Sequence, residues 1–335
     1  MMMVKDFDHD NQLELSQECK DLIATLPAES GWVATRLHQY QGFWHTTRQL
    51  QGVLACQAHF QAQDSDILLI TTPKSGTTWL KALTFAVLNR NTHNPKLAQA
   101  QAQAQDHPLL TTNPHVLVPF LELDLYLRKN KNPDLTSLPS PRLLASHLPY
   151  VSLPESAKKL GCKIVYLCRN PRDAFVSMWH FTNRLRPESR GRNSLEETFD
   201  KFCRGVSLYG PFWEHVLGYY EESKKRPEEI KFLRFEEMKE KPNEVLKDVA
   251  EFMGCGFSEE EEKSGVIGEI LKLCSFENLS NLEVNKSGKL WSGEENKAFF
   301  RRGEVGDWEN LLTPKMIQCL DAITEEKLGK HGLKL

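Results

Sequence analysis

Apolar residues in this chain fall into short unbroken runs separated by longer stretches of helical periodicity. Ile67-Leu68-Leu69-Ile70 lies between Asp66 and Thr71-Thr72. A run of that length, rich in branched side chains, predicts a strand over 66–72 that is buried on both faces. Similar runs predict strands over 142–146, 163–168 and 230–235. Helical spacing fills the intervals at 77–90, 154–160, 171–183, 211–223 and 242–253, the last ending at Gly254. Ser194-Leu195-Glu196-Glu197 is a capping box that opens a helix to about 203, and Ser258-Glu259-Glu260-Glu261 opens another to about 274. Thr313-Pro314 starts a final helix. Strands alternating with helices predict an α/β fold with a central parallel sheet flanked by helices.

Three segments stand outside this alternation. Residues 1–25 read as a polar, mobile tail, weakly helical near 13–26. Residues 91–113 contain an alanine–glutamine alternation at 98–105 and read as a mobile surface insertion. Residues 129–141 form a loop rich in proline and asparagine. The aromatics of 31–52 (Trp32, Tyr40, Phe43, Trp44) are expected to pack a cap onto the core, with one or two of them free to line a pocket. No repeat or linker divides the chain, and 335 residues suffice for one large domain.

Composition narrows the functions. A net charge of −3 gives no nucleic-acid footprint. The eight cysteines show neither a C-x-x-C pair nor zinc spacing, which suits a reducing compartment. The N-terminus lacks an apolar signal core, and no apolar run approaches the ~20 residues that span a bilayer. A cytoplasmic protein with no membrane partner is the expectation.

The chemistry starts at Pro73-Lys74-Ser75-Gly76-Thr77-Thr78-Trp79, between the first strong strand and its helix. Unpaired N–H groups at a helix start carry partial positive charge. Gly76 permits close approach, Thr77 and Thr78 add hydroxyls, and Lys74 adds a full charge. A phosphorylated ligand is expected there. The lysine precedes the glycine, so this is not the Walker order. The strand 163–168 runs into Arg169-Asn170-Pro171-Arg172-Asp173. Its first side chain is therefore a planar cation suited to phosphate and unsuited to a metal. Asp173 reads as ordinary compensation of a helix dipole. Together these segments indicate a nucleotide site without a metal. His147, after the strand 142–146 and before Pro149, belongs at the same sheet edge and can act as a base near neutral pH. With eleven histidines in the chain, its position alone selects weakly.

Both segments resemble the soluble, cytosolic-type sulfotransferases, most of all the plant members that modify small hydroxylated metabolites. The resemblance runs from about Leu26 to the C-terminus and implies one sulfotransferase domain over 26–335, with a nucleotide-kinase-like (P-loop-type) fold. In this likeness the Lys74 loop is the 5′-phosphosulfate loop. Arg169 and Ser177 are similar to the 3′-phosphate site, joined by Arg301, Arg302 and Gly303 of Phe300-Arg301-Arg302-Gly303-Glu304-Val305-Gly306-Asp307-Trp308. Ser146-His147-Leu148-Pro149-Tyr150 resembles the segment carrying the general base. Trp79 and Phe276 resemble the adenine-stacking pair, and Tyr209 the contact to an adenine ring nitrogen.

The implied donor is 3′-phosphoadenosine 5′-phosphosulfate (PAPS), the product 3′-phosphoadenosine 5′-phosphate (PAP), and the acceptor a small hydroxylated molecule. Two departures qualify the likeness. Many animal members place a lysine two residues before the histidine, where this chain has Ala145. The family's dimer motif, a Thr-Val pair followed by glutamate, falls on Leu311-Leu312-Thr313-Pro314-Lys315-Met316 with proline in place of valine, so a monomer is expected. Two other classes stay open on sequence: a metal-free nucleotide-dependent or kinase-like phosphotransferase, and a non-catalytic PAP/PAPS-binding protein.

Overall fold

Two sheets organise the computed structural model, which describes residues 15–93, 107–128 and 133–335. The larger has four parallel strands: β4 (Ile67–Thr71), β5 (Leu143–Ser146), β6 (Lys163–Cys168) and β7 (Ile230–Arg234), in the order β5-β4-β6-β7. Ile67 of β4 is paired with Leu143 on one side and Lys163 on the other. The smaller sheet is an antiparallel meander of β1 (Ala28–Ser30), β2 (Arg36–Tyr40) and β3 (Phe43–His45). Sequence reading had missed this meander, because its strands are too short to show alternation.

Alternation along the parallel strands divides the interior into two cores. Leu68, Ile70, Leu144, Ile164 and Tyr166 face one, while Ile67, Leu69, Ala145, Val165 and Leu167 face the other. All five residues of β4 are buried, as an apolar run between two helical layers requires. The four strand ends then deliver the Lys74 loop, His147, Arg169 and Phe235 to one edge. The chain passes from β4 outward to β5 and then to β6 on the other flank, which is the switch point where such sheets bind ligands.

Several expectations need correction. The helix expected over 258–274 is two helices, Glu259–Lys263 and Val266–Leu273, because Gly265 adopts a left-handed φ of +78° between them. Of the expected tail, residues 1–14 lie outside the described residues. The rest includes helix α1 (Gln17–Ile23), whose Cys19 is fully buried and which packs on α2 (Thr47–His59). Within the expected insertion, residues 94–106 lie outside the described residues. His107, Leu109 and Asn113 are buried in two short helical turns, so this part is core rather than surface. In the expected loop at 129–141, residues 129–132 lie outside the described residues. Trp32, Phe43 and Trp44 are buried, and none of the four aromatics of 31–52 lines the principal cavity. Packing is what they do.

Candidate active site

A cavity of about 520 Å³ opens along the carboxyl edge of the parallel sheet. Of the expected site residues, all but Ser75 line it. The Ser75 side chain is buried, with its hydroxyl 2.5 Å from Thr72 Oγ1 and its N–H donating to the Thr72 carbonyl. Ser75 therefore helps to shape the loop from inside the turn.

The loop holds its form at a local cost. Lys74 has φ +71° and Gly76 has φ +105°, both in the left-handed region. For a lysine this costs about 1–2 kcal/mol, and such strain collects at functional sites. A side chain at 76 would meet the Phe235 ring 2.7 Å from its Cβ. Gly76 is the N-cap of α3 (Thr77–Leu88) and makes no side-chain cap, so the first N–H groups of that helix face the loop without one. Lys74 Nζ lies 4.0 Å from the centroid of Phe181 and 5.9 Å from that of Phe299. Burial, followed by the nearby charges of Arg301, Arg169 and Arg184, lowers its pKa to about 7.

Arg169 sits against the Phe235 ring at 4.6 Å and donates to the carbonyls of Lys74 and Glu304. Asp307 accepts from both Arg301 and Arg302. Burial would raise the Asp307 carboxyl, but the two arginines outweigh it and hold it below the ordinary aspartate value. The Nε–H groups of Arg169 and Arg301 are buried and have no protein partner among the described residues. Buried donors without acceptors are costly, and a bound phosphate would relieve them.

Asp173 does more than the sequence suggested. Its carboxylate, 1% exposed, accepts from the N–H groups of Gly306 at 2.9 Å and Trp308 at 3.2 Å. It thereby ties the segment carrying Arg301 and Arg302 to the helix Pro171–Leu185, which also carries Ser177. Dipole compensation alone would not have buried it.

Around the expected stacking pair, Trp79 meets Phe235 edge to face at 5.7 Å, and a Cβ at Gly303 would lie 2.6 Å from the Phe276 ring. Tyr209 is not placed with this group of rings. Its hydroxyl donates to Glu122 Oε1 at 3.2 Å, and its ring packs at 5.1 Å from His45 and 5.5 Å from His147. That hydroxyl is engaged at the histidine end, and the aromatic neighbour that sequence reading missed beside Trp79 is Phe235.

His147 is held on several sides. Its Nδ1 is 2.7 Å from the Thr71 carbonyl, which can only accept, so Nδ1 carries the proton and Nε2 keeps a lone pair. Its N–H donates to Glu122 at 2.8 Å, and its own carbonyl accepts from His215 Nε2 at 2.9 Å. Phe120 flanks the ring at 4.7 Å. Burial lowers its pKa to about 3; the Thr71 bond opposes this, while Lys81, His215 and Lys74 add to it. The imidazole is neutral at physiological pH. Glu122, raised by burial against the bonds it accepts, also takes a hydrogen bond from Ser146 at 2.9 Å. Neither Glu122 nor His115 was marked by a motif. Glu122 lies in an apolar stretch shared with Asp124, where a pair of carboxylates among leucines was the available signal.

A sulfotransferase domain family model matches residues 64–332. The chain is 51% identical over 322 residues to cytosolic sulfotransferase 5 of Arabidopsis thaliana, covering 96% of this chain and 97% of that protein. It is 50% identical over 321 residues to cytosolic sulfotransferase 12 of the same plant, covering 96% and 95%. Among solved structures, mouse sulfotransferase SULT7A1 complexed with PAP aligns with a TM-score of 0.65 at 27% identity, covering 87% of this chain and 94% of that one. The chain belongs to the sulfotransferase family, and it is a PAPS-dependent sulfotransferase of the plant cytosolic type. The relatives' names agree with the expected cytoplasmic setting. Among the described residues no helix is long and apolar enough to cross a membrane.

Proposed function

We propose that the protein moves the sulfuryl group of PAPS to a hydroxyl of a small, largely apolar metabolite, of the flavonoid, phenol, steroid, hydroxyjasmonate or desulfoglucosinolate kind, by in-line transfer. The donor supplies an activated sulfuryl group on a phosphate leaving group. Negative charge then grows on the departing phosphate, and a cation placed there stabilises the transition state more than the ground state. Lys74 takes that role, with Thr77, Thr78 and the start of α3 holding the other oxygens. Arg169, Ser177, Arg301, Arg302 and the Gly303 backbone hold the 3′-phosphate, while Trp79 and Phe276, joined by Phe235, enclose the adenine. His147 Nε2 accepts the proton of the acceptor hydroxyl.

The observation that carries this reading is the protonation pattern of His147. The Thr71 carbonyl fixes the proton on Nδ1 and leaves a lone pair on a neutral ring in the cavity that Lys74 also lines. A monomer with one domain over 26–335 completes the reading. Calorimetry with PAP, followed by a screen of hydroxylated metabolites with PAPS, tests it. Micromolar PAP binding with sulfation of at least one class is the expected result. Absence of heat on adding PAP would end it.

A further inference from the structure

A buried cation near the cavity has no part in the chemistry so far. Lys81 lies on α3 and is fully buried, three residues beyond Thr78 and therefore on the same helix face. Its Nζ is 3.2 Å from His115 Nδ1 and 3.3 Å from the centroid of the Phe120 ring. The other ring nitrogen of His115, Nε2, is 2.9 Å from Thr78 Oγ1. His115 is itself clamped between Phe120, stacked at 5.6 Å, and Phe299 at 4.4 Å. Burying a lysine costs several kcal/mol unless something compensates. Burial outweighs the opposing fields of Asp124 and Glu122 and holds Lys81 well below the ordinary lysine value.

We propose that Lys81 and His115 are positioning residues for Thr78, fixing the direction in which its hydroxyl donates into the cleft. With an anion at the Lys74 loop to favour its ammonium form, Lys81 has only donors, so it donates to Nδ1 and Nδ1 must accept. A neutral imidazole with an accepting Nδ1 carries its proton on Nε2. That Nε2–H donates to the Thr78 oxygen. The hydroxyl proton of Thr78 is then not spent on His115, and Thr78 lines the cavity where the 5′ end of the donor belongs. Burial, then the Lys81 charge, holds His115 well below the ordinary histidine range, so the ring does not compete by becoming a cation. An anion at the Lys74 loop favours the ammonium form of Lys81 and so reinforces the same direction. The effect of a positive charge inside α3 thus reaches the anion through three hydrogen bonds, the last of them from Thr78. This inference rests on the reading that the loop holds the 5′-phosphate.

The test is a double-mutant cycle on PAP affinity, measured by calorimetry. Lys81→Met should weaken PAP binding ~10-fold when Thr78 is present, and less than ~2-fold in a Thr78→Val background, because contacting residues in one network are not additive. Equal losses in both backgrounds, or no loss with Thr78 present, would overturn the pairing while leaving the nucleotide reading intact. Failure of the parent chain to bind PAP would overturn that reading instead. A second pair of variants serves if Lys81→Met does not fold. His115→Leu should lose affinity as Lys81→Met does. His115→Gln, whose amide can accept from Lys81 and donate to Thr78, should recover most of it, and a glutamine no better than leucine would refute the relay.

Discussion

The proposed donor end of the cleft concentrates charge in contiguous motifs, whereas the apolar lining proposed for the acceptor is gathered from distant segments. Lys74, Arg169, Arg301 and Arg302 come from two loops and one C-terminal strap. Ala34, Leu123, Leu127, Leu185, Leu208 and Trp291, apolar residues of the same cavity, come from separate parts of the chain. The difference follows from what each ligand asks. A phosphate demands fixed donors at fixed spacing, so its site is built on turns that few sequences can form. An apolar acceptor asks for volume and shape, which many side chains can supply from many places. His147 stands between the two ends, and its surroundings suit that place: a rigid backbone acceptor on one ring nitrogen and aromatic walls.

The largest test removes the group that joins the two ends. His147→Ala should lower turnover by ~10²–10⁴-fold, the usual worth of a general base, with PAP affinity unchanged by calorimetry. Retained turnover would dissolve the boundary between the ends. Lys74→Ala should cost ~10²–10³ in turnover, as loss of a transition-state donor does. Lys74 also makes the donor end sensitive to alkali. With a pKa lowered to about 7 in the free protein, it must take up a proton to meet a phosphate dianion. PAP affinity should therefore decline from pH 7 to pH 9, and a Lys74→Met variant should lose that slope.

Arg169→Ala separates the phosphates from one another. PAP binding should weaken by about 1.5–3 kcal/mol, the worth of a charge-assisted hydrogen bond, while an analogue lacking the 3′-phosphate loses far less. Equal losses would remove Arg169 from the 3′ end. At the acceptor end, Leu185→Ala should raise the KM for an apolar acceptor by only ~3–10-fold, since little area is lost, and should leave PAP binding alone. A change in PAP affinity there would show that the two ends are not independent.

The last test reads stability rather than binding. His45 and His147 are lowered to about 3 and His215 to about 4, each by burial first. In the unfolded chain these groups titrate near 6.5, so between pH 6.5 and pH 4 the unfolded state binds more protons than the native one. Stability is therefore lost as pH falls through that window, and the melting temperature should drop with it.

The same contrast explains what could be read before any coordinates. The parallel strands, the Lys74 loop and Arg169 were legible because unbroken apolar runs and a loop of fixed chemistry announce themselves locally. His147 was legible through the residues beside it. Tyr209 was misplaced because its partner, Glu122, is 87 positions away, and no local pattern links them. The contact of the Ser75 hydroxyl with Thr72 inside the turn was not legible from the motif. The Lys81–His115–Thr78 chain was invisible because its middle member comes from a four-residue helix, Pro114–Leu117, just beyond a segment that read as polar insertion.

Asp173 carries one more consequence. Its two bonds reach backbone groups 133 and 135 positions further along the chain. The helix that carries Arg172 and Ser177 is therefore tied to a segment that emerges from the ribosome only near the end of synthesis. A premature stop before Gly306 would thus leave Asp173 without either backbone partner and strip Leu312, Leu320, Leu328 and Leu333 from the core.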